Sequence, residues 1–135
     1  MPVDESLVGR AFPPTTPYAV SAEKIREFAR ATGSAYDGDA APVTFPIVVA
    51  FQAMNALLED PSVGVALHNV VHGEQRFDYT RPVTAGDTLT ATLTVETLRQ
   101  IGGADIIGTR SEIADSDGRP VCTAFATLVH RGQPS

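Results

Sequence analysis

The sequence predicts an α+β domain in which a curved antiparallel sheet wraps around one long helix. Two observations carry this prediction. The stretch from Phe45 to Leu58 is apolar around nearly its whole circumference, so a helix formed by it must be enclosed by other elements. From about Asn69 onward, the period of the apolar residues changes from about 3.6 residues to about 2, which is typical of strands.

Length and composition indicate the class of protein. A chain of 135 residues is the size of one domain, so we predict a single unit over residues 1–135. The formal charge is −6 and the basic residues are scattered, which argues against nucleic acid or an anionic membrane surface as a partner. The longest apolar stretch is too short to span a bilayer, and the N-terminus has no secretory signal pattern.

The single cysteine, Cys122, rules out an internal disulfide and leaves no Cys/His pattern for zinc. Because no activating partner is visible, we predict a small buried hydrophobe rather than a nucleophile. These features together predict a soluble cytoplasmic protein without a metal.

The first half of the chain predicts two helices. Residues 2–20 are rich in proline and form an irregular lead-in with room for one strand. Ser21 is a good N-cap for a short amphipathic helix that ends at Gly33, with Ile25, Phe28 and Ala29 on its apolar face. In the second, buried helix, Thr44 is the predicted cap and Pro46 lies in the first turn.

The second half predicts four strands joined by short turns, which form an antiparallel meander. The segments are "VVHGEQRFDYTRPV", "TLTATLTVETL", "DIIGTRSEIAD" and "VCTAFATLVH". Strict alternation in the first of them places His72, Glu74, Arg76, Asp78 and Thr80 on a polar face, opposite Val71, Gly73, Gln75, Phe77 and Tyr79. In the second, Leu89, Ala91, Leu93 and Val95 point inward.

The order of helix, loop, buried helix and "VVHGEQRFDYTRPVTAGDTLTATLTV" resembles the N-terminal type of MaoC-like dehydratase, a hot-dog fold. It is most similar to the actinobacterial HadA-type subunit of (3R)-hydroxyacyl-thioester dehydratase, and the similarity extends from "VGRAFPPTTPYAVSAEKIREFA" through "AAPVTF" to "VCTAFATLV". The resemblance implies a lyase of fatty-acid or related acyl metabolism that reversibly hydrates trans-2-enoyl groups on CoA or acyl carrier protein. It implies no cofactor.

Catalytic members of that family carry an Asp-x-Asn-Pro-x-His motif between the two helices, because one side chain must take a proton at C2 while another protonates the departing hydroxyl. Here the corresponding segment is only "SAYDGDAAP", without Asn-Pro or His. Asp37 and Asp39 are the weak catalytic candidates in it. A solvated turn beside Gly38 explains them more simply. Tyr36 in the same segment is predicted to pack rather than to contact substrate.

The start of the buried helix also departs from the family pattern, in which His-Gly commonly occurs and a backbone N–H polarises the thioester carbonyl. "TFP" occupies this place, and Pro46 has no N–H. Thr44 and Phe45 remain candidate substrate-binding residues, against the alternative that Thr44 is only a cap.

His72 and Gly73 are the other candidates for contact with substrate. Imidazole can act as acid or base near neutral pH, and the glycine permits close approach of a ligand. An exposed or interfacial imidazole would give the same pattern. His68 and His130 are predicted to lie at the surface.

Three functions remain open. The favoured one is a subunit that accommodates the acyl chain while a catalytic hot-dog subunit supplies Asp and His, as a homodimer or heterodimer joined edge to edge. The second is a self-sufficient enoyl-CoA hydratase or thioesterase that uses Asp37, Asp39 or His72. The third is a non-enzymatic acyl-thioester-binding module.

Overall fold

The structure is a computed structural model and describes residues 5–65 and 69–131. After a short 3-10 helix, Glu5–Leu7, two helices and five strands follow in chain order. They are β1 (Tyr18–Ala19), α1 (Ala22–Thr32), α2 (Ile47–Leu58), β2 (Val70–Tyr79), β3 (Thr88–Ile101), β4 (Ala104–Ala114) and β5 (Pro120–Arg131). This confirms the predicted α+β class, a curved sheet against a central helix. His68 lies outside the described residues.

The sheet has the strand order β1-β3-β4-β5-β2, and each neighbouring pair is antiparallel. Strands β3, β4 and β5 form the predicted meander. The prediction was wrong for β2, which pairs with β5 and not with the strand that follows it. The eight residues between Tyr79 and Thr88 are therefore not a hairpin, and they carry the chain from one side of the sheet to the other.

Ionic and backbone hydrogen bonds fix this connection. Arg81 donates to both carboxylate oxygens of Asp87, at 2.9 and 3.1 Å, and to Asp115 at 3.3 Å. The carboxylate of Asp87 also accepts from the Thr84 N–H at 2.9 Å. Gly86 adopts a φ of 99°, which favours glycine, and its N–H donates to the carbonyl of Val20. The residues of the segment "RPVTAGD" thus serve to fix the connection between β2 and β3.

Helix α1 begins and ends as predicted. The Ser21 hydroxyl accepts from the Lys24 N–H at 3.1 Å, and Gly33 closes the helix in the left-handed region with a φ of 70°. The start of α2 differs from the prediction, because Pro46 is the N-cap and no side chain caps the helix. Its first turns are closed instead by backbone bonds, such as the one from the Ile47 N–H to the Thr44 carbonyl.

The sheet covers only one side of α2. The buried residues of the helix are Val49, Ala50, Ala53, Met54 and Leu57. They pack against inward side chains of β3 that alternate as predicted, namely Leu89, Ala91, Leu93 and Val95. On the other side, Phe51 remains 47% exposed. The helix is therefore not fully enclosed within this chain.

The two edges of the sheet differ. Beyond β3, the lead-in segment occupies the edge, since the N–H groups of Gly9, Phe12 and Thr15 donate to carbonyls of β3 at 2.8 to 2.9 Å. At the other side, among the residues that the structure describes, β2 pairs only with β5. Strand β2 is therefore an open edge.

Candidate functional site

A cavity of about 600 Å³ lies between α1, the start of α2 and the inner face of β2. Its wall is mainly apolar, with a few polar side chains. The lining residues are Phe28, Thr32, Val43, Thr44, Ile47, Phe51, His72, Gln75, Arg76, Phe77 and Tyr79. This combination of apolar surface with a few polar groups is typical of small-molecule sites.

His72 reaches this pocket because of a bulge at Gly73. In the pairing of β2 with β5, His72 lies opposite Leu128 and Glu74 lies opposite Thr127, so Gly73 has no partner of its own. Residues directly opposite share a face of the sheet, and Leu128 is buried. The prediction that His72 shares a face with Glu74 was therefore wrong. Gly73 itself forms the bulge and is not part of the pocket wall.

The tautomer of His72 follows from its neighbours. Its Nε2 lies 3.0 Å from the carbonyl oxygen of Glu74. Since a carbonyl can only accept, Nε2 donates, and Nδ1 of the neutral ring is an acceptor. The ring packs edge-on against Phe51, with 5.7 Å between the centroids. His72 is thus a fixed part of the wall.

At the start of α2, Thr44 and Phe45 have different environments. Thr44 is exposed and lines the pocket, and its N–H forms no hydrogen bond with any described residue. Phe45 is fully buried, its ring packs edge-on against Phe28, and its N–H donates to Pro42 at 2.9 Å. Of these two candidates at the start of α2, the structure brings only Thr44 to the pocket.

Asp37 and Asp39 lie outside the pocket wall. Both are exposed, and the Asp37 carboxylate accepts from the Asp39 N–H at 3.1 Å in a turn around Gly38, which has a φ of 98°. This is the solvated turn expected from the sequence. Tyr36 beside it is half-buried and packs against the core.

Several pocket residues were missed because they lie in strands or helices that carry no known motif. Phe51 is exposed on α2, and Gln75 and Tyr79 line the inner face of β2. The Tyr79 hydroxyl donates to the carbonyl of Val43, and burial raises the pKa of Tyr79. The signal that could have found Gln75 and Tyr79 was the alternation of β2, which places them on the same face as Phe77.

A second polar cluster lies at the far end of the sheet. His130 is buried, and its Nδ1 lies 3.1 Å from the carboxylate of Asp105, which also accepts from Gln100 at 3.0 Å. The prediction that His130 lies at the surface was wrong, because the alternation of β5 turns this residue inward. None of these three residues lines the pocket.

Cys122 is buried, as predicted, and its pKa is raised to about 11 by burial and by the nearby charge of Asp78. Within residues 5–65 and 69–131, no three His, Cys, Asp or Glu side chains are grouped so that they could hold a metal ion. None of the helices in this part of the chain has the length and hydropathy needed to cross a membrane.

The curved sheet, the central helix and the pocket beside its first turn define a hot-dog protein of the dehydratase type. A family model described as "FAS1-like, dehydratase domain region" matches residues 6–124, and the chain belongs to this MaoC-like hot-dog family.

Relatives and solved structures agree with this family. A UPF0336 protein of Streptomyces coelicolor is 46% identical, with 97% of each chain covered, and one of Leifsonia xyli is 46% identical over 98% of each. A crystal structure of the C-terminally truncated HadBC (3R-hydroxyacyl-ACP dehydratase) complex from Mycobacterium tuberculosis superimposes with a TM-score of 0.81 at 29% identity, covering 96% of this chain and 99% of that one. A structure named MaoC-like dehydratase has a TM-score of 0.79 at 29% identity, and the match covers 94% of this chain and 43% of that chain.

Proposed function

We propose that this chain is a HadA-type subunit of a (3R)-hydroxyacyl-thioester dehydratase, which holds the acyl group while a catalytic hot-dog subunit supplies the acid and base. One observation carries the proposal. The apolar pocket lies against β2, the open edge of the sheet, so a second subunit added at this edge would border the pocket.

The substrate in this proposal is an acyl thioester of CoA or acyl carrier protein. Thr44 is exposed, and its N–H at the start of α2, unpaired among the described residues, is the donor for the thioester carbonyl, because the positive end of a helix dipole favours developing negative charge. The acyl chain extends along the apolar wall formed by residues such as Ile47, Phe51 and Phe77.

The surface around the pocket supports a partner at this edge. Val43 is 74% exposed and Phe51 is 47% exposed at the pocket, and Val71, on the opposite face of the edge strand β2, is 65% exposed. Exposed apolar side chains grouped beside an unpaired strand are typical of interfaces. The HadBC structure is by its name a complex, which supports assembly of this chain with a catalytic subunit.

The partner would provide the Asp and His that the segment between α1 and α2 lacks. In this chain the pocket wall, as far as the structure describes it, contains no Asp or Glu side chain. The single cysteine fits a reducing compartment, and we place the protein in the cytoplasm.

The test is co-expression with a hot-dog protein that carries the Asp-x-Asn-Pro-x-His motif, followed by an assay of crotonyl-CoA hydration. We expect a stable hetero-oligomer that is active, and little activity from this chain alone. Substitution of the partner's motif Asp by Asn should abolish activity without breaking the complex. If a complex forms but stays inactive with every thioester, the chain is a binding or assembly module instead.

A self-sufficient hydratase is the second candidate, because His72 lines the pocket and could exchange a proton through Nδ1. In that case the purified chain alone hydrates crotonyl-CoA, and His72→Ala abolishes the activity. The same variant in the hetero-oligomer weakens activity only modestly if the partner supplies the acid and base.

A further inference from the structure

Gln75 has an unusual environment in the pocket wall. It lies on the inner face of β2 opposite Ala126, and its carboxamide oxygen is buried without a hydrogen-bond partner among the described residues. Its Nε2 points towards the Arg76 carbonyl at 3.5 Å, which is the limit of a hydrogen bond. A reversed amide would place two acceptors together, and this contact therefore favours the orientation in which the oxygen is the unpaired atom.

The neighbouring polar groups of the wall do not satisfy this oxygen. The hydroxyls of Thr32 and Tyr79 donate to the backbone carbonyls of Phe28 and Val43. His72 uses its N–H on Glu74. Thr44 and Arg76 also line the wall, but no described side chain donates to this oxygen, so the wall contains a buried acceptor without a partner.

We propose that Gln75 is a specificity-determining residue whose carboxamide oxygen accepts a hydrogen bond from the 3-hydroxyl group of a 3-hydroxyacyl thioester. This rests on the proposed function, since it requires the acyl group to occupy this pocket. A saturated acyl group of the same length leaves the acceptor unpaired, and sites built around a substrate hydroxyl discriminate against ligands that lack it.

The experiment compares binding of (R)-3-hydroxybutyryl-CoA and butyryl-CoA to the full chain by calorimetry. We expect the hydroxylated thioester to bind about tenfold more tightly. Gln75→Met keeps the length of the side chain but removes the acceptor, so it should abolish this preference. Gln52→Met, the same change on the exposed side of α2, is the matched control and should keep the preference.

Thermal unfolding without ligand gives a second readout. Because Gln75→Met removes a buried unpaired oxygen, it should raise the melting midpoint, whereas loss of a purely structural residue would lower it. Gln75→Leu provides a second variant with the same expectation if the methionine variant folds poorly.

The acyl-binding role of the chain and the role of Gln75 are overturned by different results. If neither thioester binds the wild-type chain, the acyl-binding role is overturned together with this inference. If both bind equally, or if the preference survives in the methionine and leucine variants, the role of Gln75 alone is overturned. If a substitution at Gln75 impairs assembly with the partner but leaves the discrimination between the two thioesters intact, the hydrogen-bond donor to Gln75 belongs to the partner subunit. That result would also overturn the role proposed for Gln75.

Discussion

The Tyr79 hydroxyl donates a hydrogen bond to the backbone carbonyl of Val43, two residues that are 36 positions apart in the chain. The bond joins the end of β2 to the loop that leads into α2, and both residues line the pocket. This side-chain bond therefore helps to hold the spacing between the strand wall and the Thr44 N–H.

Removing this bond with Tyr79→Phe should lower the free energy of unfolding by about 1 kcal/mol, because the Val43 carbonyl loses its donor. The freed loop should also weaken thioester binding several-fold. Urea denaturation and calorimetry measure the two effects. Tyr36→Phe is the matched control, since the Tyr36 hydroxyl forms no hydrogen bond in the described part of the chain. Equal effects of both substitutions would show that the bond to Val43 is unimportant.

The Arg81–Asp87 pair predicts a loss of stability in acid. Burial by itself raises the pKa of Asp87, but the hydrogen bonds from Arg81 and the Thr84 N–H outweigh it, so the pKa lies below its usual value of 3.8. A carboxylate with a lowered pKa binds protons less readily in the folded state. Its stabilising contribution is complete above the unfolded pKa and disappears as the pH falls through the folded pKa.

Asp87→Asn should therefore reduce stability by about 1–3 kcal/mol at pH 7 and flatten its decline between about pH 5 and pH 2. Chemical denaturation at a series of pH values measures both. Asp117→Asn is a suitable control, because Asp117 is exposed and its carboxylate is not in the Arg81 network. Identical pH profiles of wild type and Asp87→Asn would contradict the prediction.

Gly108 on β4 lies opposite Thr97, and a Cβ at position 108 would lie 2.2 Å from the Thr97 hydroxyl oxygen. Gly108→Ala should therefore force Thr97 into another rotamer and destabilise the protein by about 1 kcal/mol. In a Thr97→Ala background, the same substitution should change the free energy of unfolding little, since the remaining contact to the Cβ of residue 97 is an ordinary 3.5 Å. A double-mutant cycle measures the coupling between positions 97 and 108, and purely additive effects on stability would refute this prediction.

Val71 on the open edge of the sheet is 65% exposed. Val71→Glu should leave the stability of the isolated chain nearly unchanged but weaken assembly with a hot-dog partner at least tenfold, because a charge enters an apolar interface. Light scattering coupled to gel filtration measures the assembly. Val8→Glu is the control, since Val8 is 47% exposed but lies near the covered edge by β3. Unchanged assembly of the Val71 variant would place the interface elsewhere.

Local patterns in the sequence predicted much of the fold. The capping residues Ser21 and Gly33, the presence of helix α2 and the alternation of Leu89, Ala91, Leu93 and Val95 all follow from short-range rules, and the structure confirms them. These features succeed because each depends on neighbouring residues alone.

The predictions that failed depend on relations across the sheet. The position of His72 depends on a bulge that adds one residue to β2, and a strict period of two misplaces every residue before it. The pairing of β2 with β5 and the burial of His130 depend on strand order, which the spacing of turns does not reveal. Gln75 was missed for a related reason, since an unpaired oxygen is defined only by its three-dimensional surroundings.

The open edge of β2 also has a consequence for how the protein is made. An unpaired strand beside exposed Val43, Phe51 and Val71 is a template on which other polypeptides can add strands. Under the proposed pairing, copies synthesised in excess of a partner would be prone to aggregate or to be degraded. Matched production of the two chains would then protect this edge, and recombinant yields should rise when they are translated together.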